Sequence, residues 1–250
     1  MATVEDSTAW MLESDFSKVL LLSSSGLAYM AMLAYTYLHG CKLFPTLEKD
    51  SSKAYKFVRM CFQCTGGGII VPLLINAIPV TLGKDAYPIC IFISFLLHEY
   101  LPFLREVVQE SSIFKIALIF LYECQRASVV YKLTTAAAAS IPASDFSFAV
   151  FGPIFCGAIG GCGGAFLPMN KGLDPIKKNG LGQPMYTALI AAACLHLFLA
   201  TSLSEGIAEA GKKAQLCMAV YFITDNISNA FPKGFNLSLS VPPAQKNKAD

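Results

Sequence analysis

A long apolar stretch at residues 113–139 constrains the fold more than any other feature of the sequence, because charged side chains interrupt it. A helix rises about 1.5 Å per residue, so about 20 apolar residues cross the roughly 30 Å hydrocarbon core of a membrane. The stretch is long enough to span that core, and Arg126 would then lie near mid-membrane. An arginine there costs from about 3 to more than 10 kcal/mol, so it usually faces a wet cavity, a partner charge or a bound anion. Arg126 is therefore a candidate functional residue.

The composition indicates a membrane protein. Of the 250 residues, 54% are hydrophobic and 14% are charged, whereas soluble domains average about 25% charged. The net charge of +2 does not favour nucleic-acid binding, and the sequence carries no nucleic-acid-binding motif. Most of the nine cysteines fall in apolar segments, and the Cys61-x-x-Cys64 pair has no further ligand-like residues nearby. We therefore expect neither a disulfide framework nor a metal site.

Seven apolar segments are long enough for transmembrane helices. They cover residues 18–39, 54–78, 86–104, 113–139, 146–168, 184–203 and 214–231. Polar linkers rich in turn-forming residues lie between them, notably at 40–53 and 169–183. The sequence predicts an all-α membrane protein with seven transmembrane helices in one domain, residues 1–235, followed by a polar cytosolic tail at 236–250.

The distribution of basic residues predicts the orientation. With seven spans the termini lie on opposite sides, and the cytosolic side is the one richer in lysine and arginine. Of the 19 lysines and arginines, two (Arg126 and Lys132) lie within a span, and an N-terminus in the lumen leaves four on the luminal side and thirteen on the cytosolic side. The predicted topology is a luminal N-terminus and a cytosolic C-terminus, with no cleaved signal peptide because residues 1–17 are acidic.

An internal repeat relates the second and fifth segments. Residues 67–72 (GGIIVP) match residues 163–168 (GGAFLP) at an offset of 96, and the offset persists at Pro88 and Pro184. Three spans per copy is an odd number, so the second copy must be inserted upside down relative to the first. The predicted architecture is two inverted three-helix repeats, at about 18–104 and 113–203, followed by a seventh helix at about 214–231.

Glycines and prolines in the middle of these two segments predict helix breaks. Backbone groups freed by a break cannot face lipid, so they must line a cavity. Close helix packing through Gly-x-x-x-Gly pairs is the alternative, but recurrence in both copies favours a midplane pathway. The candidate pore residues are Gly66, Gly67, Gly68, Pro72, Gly160, Gly161, Gly163, Gly164 and Pro168.

The charged cluster of the fourth segment has two interpretations. Glu123 and Tyr122 lie three and four residues before Arg126, so the three side chains can share one helix face. A closed ion pair with Glu123 would neutralise Arg126, or the planar guanidinium is offered to a phosphate, which it fits bidentately. Lys132 points elsewhere and can snorkel to an interface. No histidine pair has metal-ligand or nucleophile–base spacing, so we expect satisfied histidines and no enzyme active site.

These features together resemble the trimeric intracellular cation (TRIC) channels, type B. The resemblance covers about residues 15–235 and rests on seven spans, inverted repeats, residues 62–68 (FQCTGGG), the charged motif of the fourth segment and residues 161–164 (GCGG). It implies a homotrimer in the endoplasmic or sarcoplasmic reticulum membrane. Each subunit would carry a potassium-permeable pore that balances charge as calcium leaves the store.

The resemblance also implies a bound phosphoinositide, phosphatidylinositol bisphosphate, on the fourth helix. The corresponding candidate lipid-binding residues are Arg126, Tyr122, Glu123 and Lys132. Tyr122 stands where the family commonly has a lysine, and Gly160 where an arginine is usual. We therefore expect weaker lipid binding, or binding that borrows Lys132 or a cytosolic lysine. The alternative function is an alternating-access transporter, because inverted repeats and glycine breaks suit carriers as well.

Overall fold

The computed structural model describes residues 6–143, 145–168, 172–177 and 180–231. All regular structure within these residues is helical, which confirms the all-α prediction. The predicted polar tail at 236–250 lies outside the described residues, as do residues 169–171 and 178–179 of the predicted 169–183 linker. The helices are α1 (Trp10–Glu13), α2 (Asp15–Leu20), α3 (Ser25–Leu43), α4 (Lys53–Leu74), α5 (Val80–Gly83), α6 (Ala86–Tyr100), α7 (Phe103–Glu110), α8 (Ser112–Ser140), α9 (Phe151–Cys162), α10 (Asp174–Lys177), α11 (Gln183–Ala200) and α12 (Ala210–Ala230).

Seven helices within the described residues have twelve or more residues, and each overlaps one predicted apolar segment. Two of them, α4 and α11, are long and apolar enough to cross a membrane by length and composition alone. The bent pair of α6 and α7 makes a third if it is counted as one span. Helix α8 is longer, but it carries four charged residues, Lys115, Glu123, Arg126 and Lys132. The number of spans therefore stays a prediction.

The first predicted segment, at 18–39, differs at both ends from the observed helix α3, which covers Ser25–Leu43. Helix α2 ends at Leu20, Leu22 has a left-handed backbone (φ 53°), and α3 begins only at Ser25. The Ser24 side chain accepts a hydrogen bond from the backbone N–H of Leu27, so it caps the new helix. Serine favours this capping position over a helix interior. The start of α3 thus follows from local capping, which a hydropathy pattern does not detect.

The third predicted segment, at 86–104, is also interrupted. Helix α6 ends at Tyr100, and α7 leaves at an angle of 96°. Pro102 precedes α7 and has no backbone N–H to continue α6. The seventh predicted segment begins earlier than expected, at Ala210.

The predicted helix break at the first glycine cluster is corrected by the structure. Helix α4 continues without interruption through Gly66, Gly67 and Gly68, contains Pro72 in its last turn, and ends at Leu74. The second cluster does end a helix, because α9 stops at Cys162 and a short 3₁₀ turn, Gly163–Phe166, follows. The glycines of α4 serve close packing, as described below, and packing outweighs their weak intrinsic helix preference.

Helix α8 lies at the centre of the bundle, where it contacts α3, α9, α11 and α12. Its small and branched side chains form a core with α11 and α12, in which the fully buried members are Cys124, Ala127, Val130, Ala188, Ala192, Ala219 and Phe222. Helix α4 also contacts α9 and the 3₁₀ turn. The contacts α3–α8 and α4–α9 are those that two related halves would make, and the repeat itself stays a prediction.

Candidate functional site

A cavity of about 740 Å³ lies between α3, α4, α6, α8, α9 and α11. Its wall is mainly apolar, with neutral polar groups from Gln63, Thr65, Gln125 and Ser128. The structure brings most of the predicted pore and lipid residues to this one cavity: Gly67, Gly68, Pro72, Gly160, Gly161, Gly163, Gly164, Tyr122 and Lys132. Four predicted residues do not line it: Gly66, Pro168, Glu123 and Arg126.

The two glycine clusters pack directly against each other beside the cavity. A Cβ atom added to Gly66 would lie 2.5 Å from the backbone of Gly163, and one added to Gly67 would lie 2.5 Å from the carbonyl oxygen of Gly160. A Cβ on Gly164 would collide with the backbone of Gln63. Backbone cannot move aside as a flexible side chain can, so these positions require glycine. Close packing, the alternative predicted from the sequence, therefore occurs at Gly67 and Gly164, which also line the cavity, and at Gly66, which does not.

Arg126 is 1% exposed and its guanidinium is surrounded by protein acceptors. The Nε atom donates to the Gly161 carbonyl oxygen at 3.1 Å, and Nη2 donates to the Pro184 carbonyl oxygen and to Thr187 Oγ1 at 2.8 Å. The Phe222 ring lies under the guanidinium, with its centroid 4.2 Å from Cζ. Arg126 thus connects α8 to α9, α11 and α12.

Glu123 provides the partner charge for Arg126. Arg126 Nη1 donates to Glu123 Oε2 at 3.1 Å, and Asn226 Nδ2 of α12 donates to the other carboxylate oxygen. Glu123 is 1% exposed. Four of the five guanidinium N–H groups therefore have acceptors within the chain, which favours the closed ion pair over a phosphate ligand at Arg126.

Among the described residues, no hydrogen bond joins Tyr122 to this ion pair. Its ring lines the cavity and stacks on Tyr35 of α3, with centroids 4.9 Å apart. The Lys42 ammonium lies 5.6 Å from the centroid of the Tyr122 ring. Tyr122 and Arg126 lie four residues apart on one uninterrupted helix, and Tyr122 lines the cavity whereas Arg126 does not. Lys42 thus brings a positive charge close to Tyr122.

Sequence reasoning missed the contribution of α3 to the cavity. Tyr35, His39 and Lys42 all line it, and their spacing of four and three residues places them on one helix face. This spacing could have indicated from the sequence that the three side chains share a face. His98 and His196 bind backbone carbonyls, as expected, but both ring nitrogens of His39 are buried without a hydrogen-bond partner among the described residues.

The described residues offer little for catalysis or metal binding. They contain no group of three or more His, Cys, Asp or Glu side chains that could hold a metal ion. All nine cysteines are free thiols.

The apolar helices and the cavity between them define the class: an all-helical membrane protein. The sequence matches no known family profile and no curated protein. Solved structures do match in fold. A trimeric intracellular cation channel from C. elegans, solved without Ca²⁺, is 16% identical with a TM-score of 0.66, covering 89% of this chain and 100% of the other. A trimeric intracellular cation channel from C. elegans with bound Ca²⁺ gives 15% identity and a TM-score of 0.61, covering 86% of this chain and 98% of the other.

A further structure, from work on conductance through TRIC cation channels, is 17% identical with a TM-score of 0.60. It covers 87% of this chain and 97% of the other. At these identities the likeness shows that the chain shares the fold of these channels over nearly its whole length.

Proposed function

We propose that this chain is a cation channel that conducts monovalent ions, potassium in particular, through the cavity between α4, α8 and α9. The single observation that carries the proposal is this cavity of about 740 Å³, walled by both glycine clusters. It occurs within a fold shared with solved cation channels over 89% of the chain. Neutral amides and hydroxyls along the wall can replace part of the hydration shell of a passing ion.

We further propose a homotrimer of type B in the endoplasmic or sarcoplasmic reticulum membrane, where it would supply counter-ion current during calcium release. The trimeric neighbours support the assembly, and the excess of basic residues on one side supports a luminal N-terminus. Native mass measurement in mild detergent should give a trimer.

We propose a lipid site that does not include Arg126. The Arg126 guanidinium donates its hydrogen bonds to protein groups, so we assign Arg126 the role of holding α8 in place. The lysines that line the cavity are Lys42, which lies over Tyr122, Lys84 and Lys132, and we assign a bound phosphatidylinositol bisphosphate to Lys42. Mass spectrometry of the purified protein for co-purified phosphoinositide accompanies the current measurement.

The test is recording in planar bilayers with a potassium chloride gradient. Unitary current steps with a reversal potential shifted toward that of potassium support the channel, whereas a carrier gives no unitary steps. Ala136→Phe places a ring in the cavity wall and should lower unitary conductance several-fold. The matched control is Ala138→Phe, on the exposed side of α8 and outside the wall, which should conduct as wild type does. Equal conductance in both variants would place the pathway elsewhere.

A further inference from the structure

The charges on the cavity wall are all of one sign. Three lysines, Lys42, Lys84 and Lys132, contribute to the wall, and all three are exposed. Among the described residues that line the cavity, none is an aspartate or a glutamate. A cavity bounded by low-dielectric walls focuses the field of such charges on whatever ion enters it.

Lys84 and Lys132 differ from several other basic residues in having no ion-pair partner among the described residues. Arg126 is paired with Glu123, and Lys56 lies 3.4 Å from Glu99. The side chains of Lys84 and Lys132 make no hydrogen bond or ion pair with any residue that the structure describes, and Lys84 is near enough for its charge to act on Lys132. Their charges are therefore not compensated by the surrounding protein.

The two lysines come from separate elements at one region of the cavity. Lys84 follows α5 directly, where Val80 packs against Gly68 of α4, and Lys132 is on α8 beside Leu133, which packs against Gly160. Tyr122, which marks the Lys42 region, lies ten residues earlier on α8, a rise of about 15 Å. Lys84 and Lys132 thus form a positive site distinct from the Lys42 region.

We propose that Lys84 and Lys132 act as a charge filter, which makes the pathway discriminate against divalent cations and lowers its preference for cations over anions. The proposal rests on the proposed channel function and deepens it by naming the ions that pass. At the same position, the repulsion energy of a divalent cation is twice that of a monovalent cation. A monovalent anion is attracted with an energy equal in size to the repulsion of a monovalent cation. The filter therefore acts through charge number and needs no specific coordination.

The expected effects follow from this charge arithmetic. If one lysine charge, screened by water and salt, changes monovalent entry by about threefold, its removal raises the permeability ratio of Ba²⁺ to K⁺ by about threefold. The ratio of K⁺ to Cl⁻ rises by about tenfold, because cation entry increases while anion entry decreases. Lys132→Glu changes two charge units and should raise the Ba²⁺ to K⁺ ratio by about ninefold.

The experiment measures reversal potentials in planar bilayers under a potassium chloride gradient and under barium against potassium. The variants are Lys84→Gln, Lys132→Gln, Lys132→Glu and the charge-retaining Lys132→Arg. The matched control is Lys212→Gln, an exposed lysine outside the cavity wall that lies on the same predicted side as Lys84. We expect both glutamine variants to shift the two ratios in the directions given, and Lys132→Arg and Lys212→Gln to keep wild-type values.

The outcomes separate the two levels of the proposal. Unitary currents with unaltered ratios in both glutamine variants overturn the charge filter and leave the channel intact. Absence of unitary current in the wild type overturns the channel and the filter with it. If Lys132→Gln yields no folded protein, Lys84→Gln carries the same test from a position outside the long helices.

Discussion

In each half of the bundle, α3–α7 and α8–α11, a buried polar residue on the first long helix links that helix to two others, but the chemistry differs. In the first half Thr36, which is 0% exposed, lies 3.2 Å from the Cys90 carbonyl oxygen and 2.7 Å from Ser94 Oγ of α6. Its own carbonyl accepts from Cys64 Sγ of α4. In the second half Arg126 makes the corresponding links from α8 to α9 and α11.

The difference shows how much each half depends on its central residue. When a hydroxyl loses one hydrogen-bond partner, the protein loses about 1 kcal/mol of stability, because the net energy of such a bond is small. A buried ion pair adds little stability when intact, but removing one partner leaves an uncompensated charge. The second half is therefore more sensitive to a single substitution, although its intact ion pair adds little net stability.

Breaking the ion pair should give the largest effect. Arg126→Leu leaves Glu123 buried without its partner and should destabilise the protein by about 3–5 kcal/mol, which for a chain of this length lowers the unfolding temperature by about 10 °C. The double change Glu123→Leu with Arg126→Leu should recover most of the loss. Thermal unfolding in mild detergent measures both. A double variant as unstable as the single one would show that the links to α9 and α11, not the charge balance, dominate.

Separating the halves at their glycine contact should give an intermediate effect. The Cβ of Gly67→Ala would lie 2.5 Å from the carbonyl oxygens of Gly160 and Ile159, so α4 and α9 must move apart, at a cost of about 1–3 kcal/mol. Gly26→Ala in α3 is the control, because nothing lies within 4 Å of its added Cβ. The control should change stability by less than about 0.5 kcal/mol, because Gly26 lies in the first turn of α3 and the added methyl meets no other group. Equal effects of the two changes would exclude a tight contact at Gly67.

Replacing the neutral residue of the first half should give the smallest effect. Thr36→Val keeps the shape but removes the hydroxyl from Cys90 and Ser94, at a cost of about 1 kcal/mol. Thr224→Val in α12 is the control, because Thr224 is exposed and bonds only within its own helix. The control should change stability by less than about 0.5 kcal/mol. A loss in Thr36→Val as large as that in Arg126→Leu would remove the distinction between the halves.

Local sequence patterns predicted part of the site and not the rest. The Glu123–Arg126 pair was predictable because both residues lie on one helix at a spacing of three. Pro184, Thr187 and Phe222 could not be found in this way, because they reach Arg126 from α11 and α12. Such contacts depend on how the helices pack together, and residue spacing within one segment does not reveal that packing.

The helix break expected in α4 failed for a related reason. Glycine lowers helix stability in isolation by about 1 kcal/mol relative to alanine, and that preference suggested a break at residues 66–68. Contact with α9 outweighs it, and the helix stays intact through the cluster. The all-helical fold itself was predictable, because seven apolar segments leave no other way to satisfy the backbone within a membrane.

The link between Glu123 and Asn226 also sets an order of events during synthesis. The two residues are 103 positions apart, so α8 leaves the ribosome well before α12, which supplies both Asn226 and the Phe222 ring. At the roughly 5–20 residues per second of translation, Asn226 is synthesised about 5–20 seconds after Glu123. A chain truncated before residue 222 would lack both Phe222 and Asn226, and we expect such chains to be degraded rather than assembled.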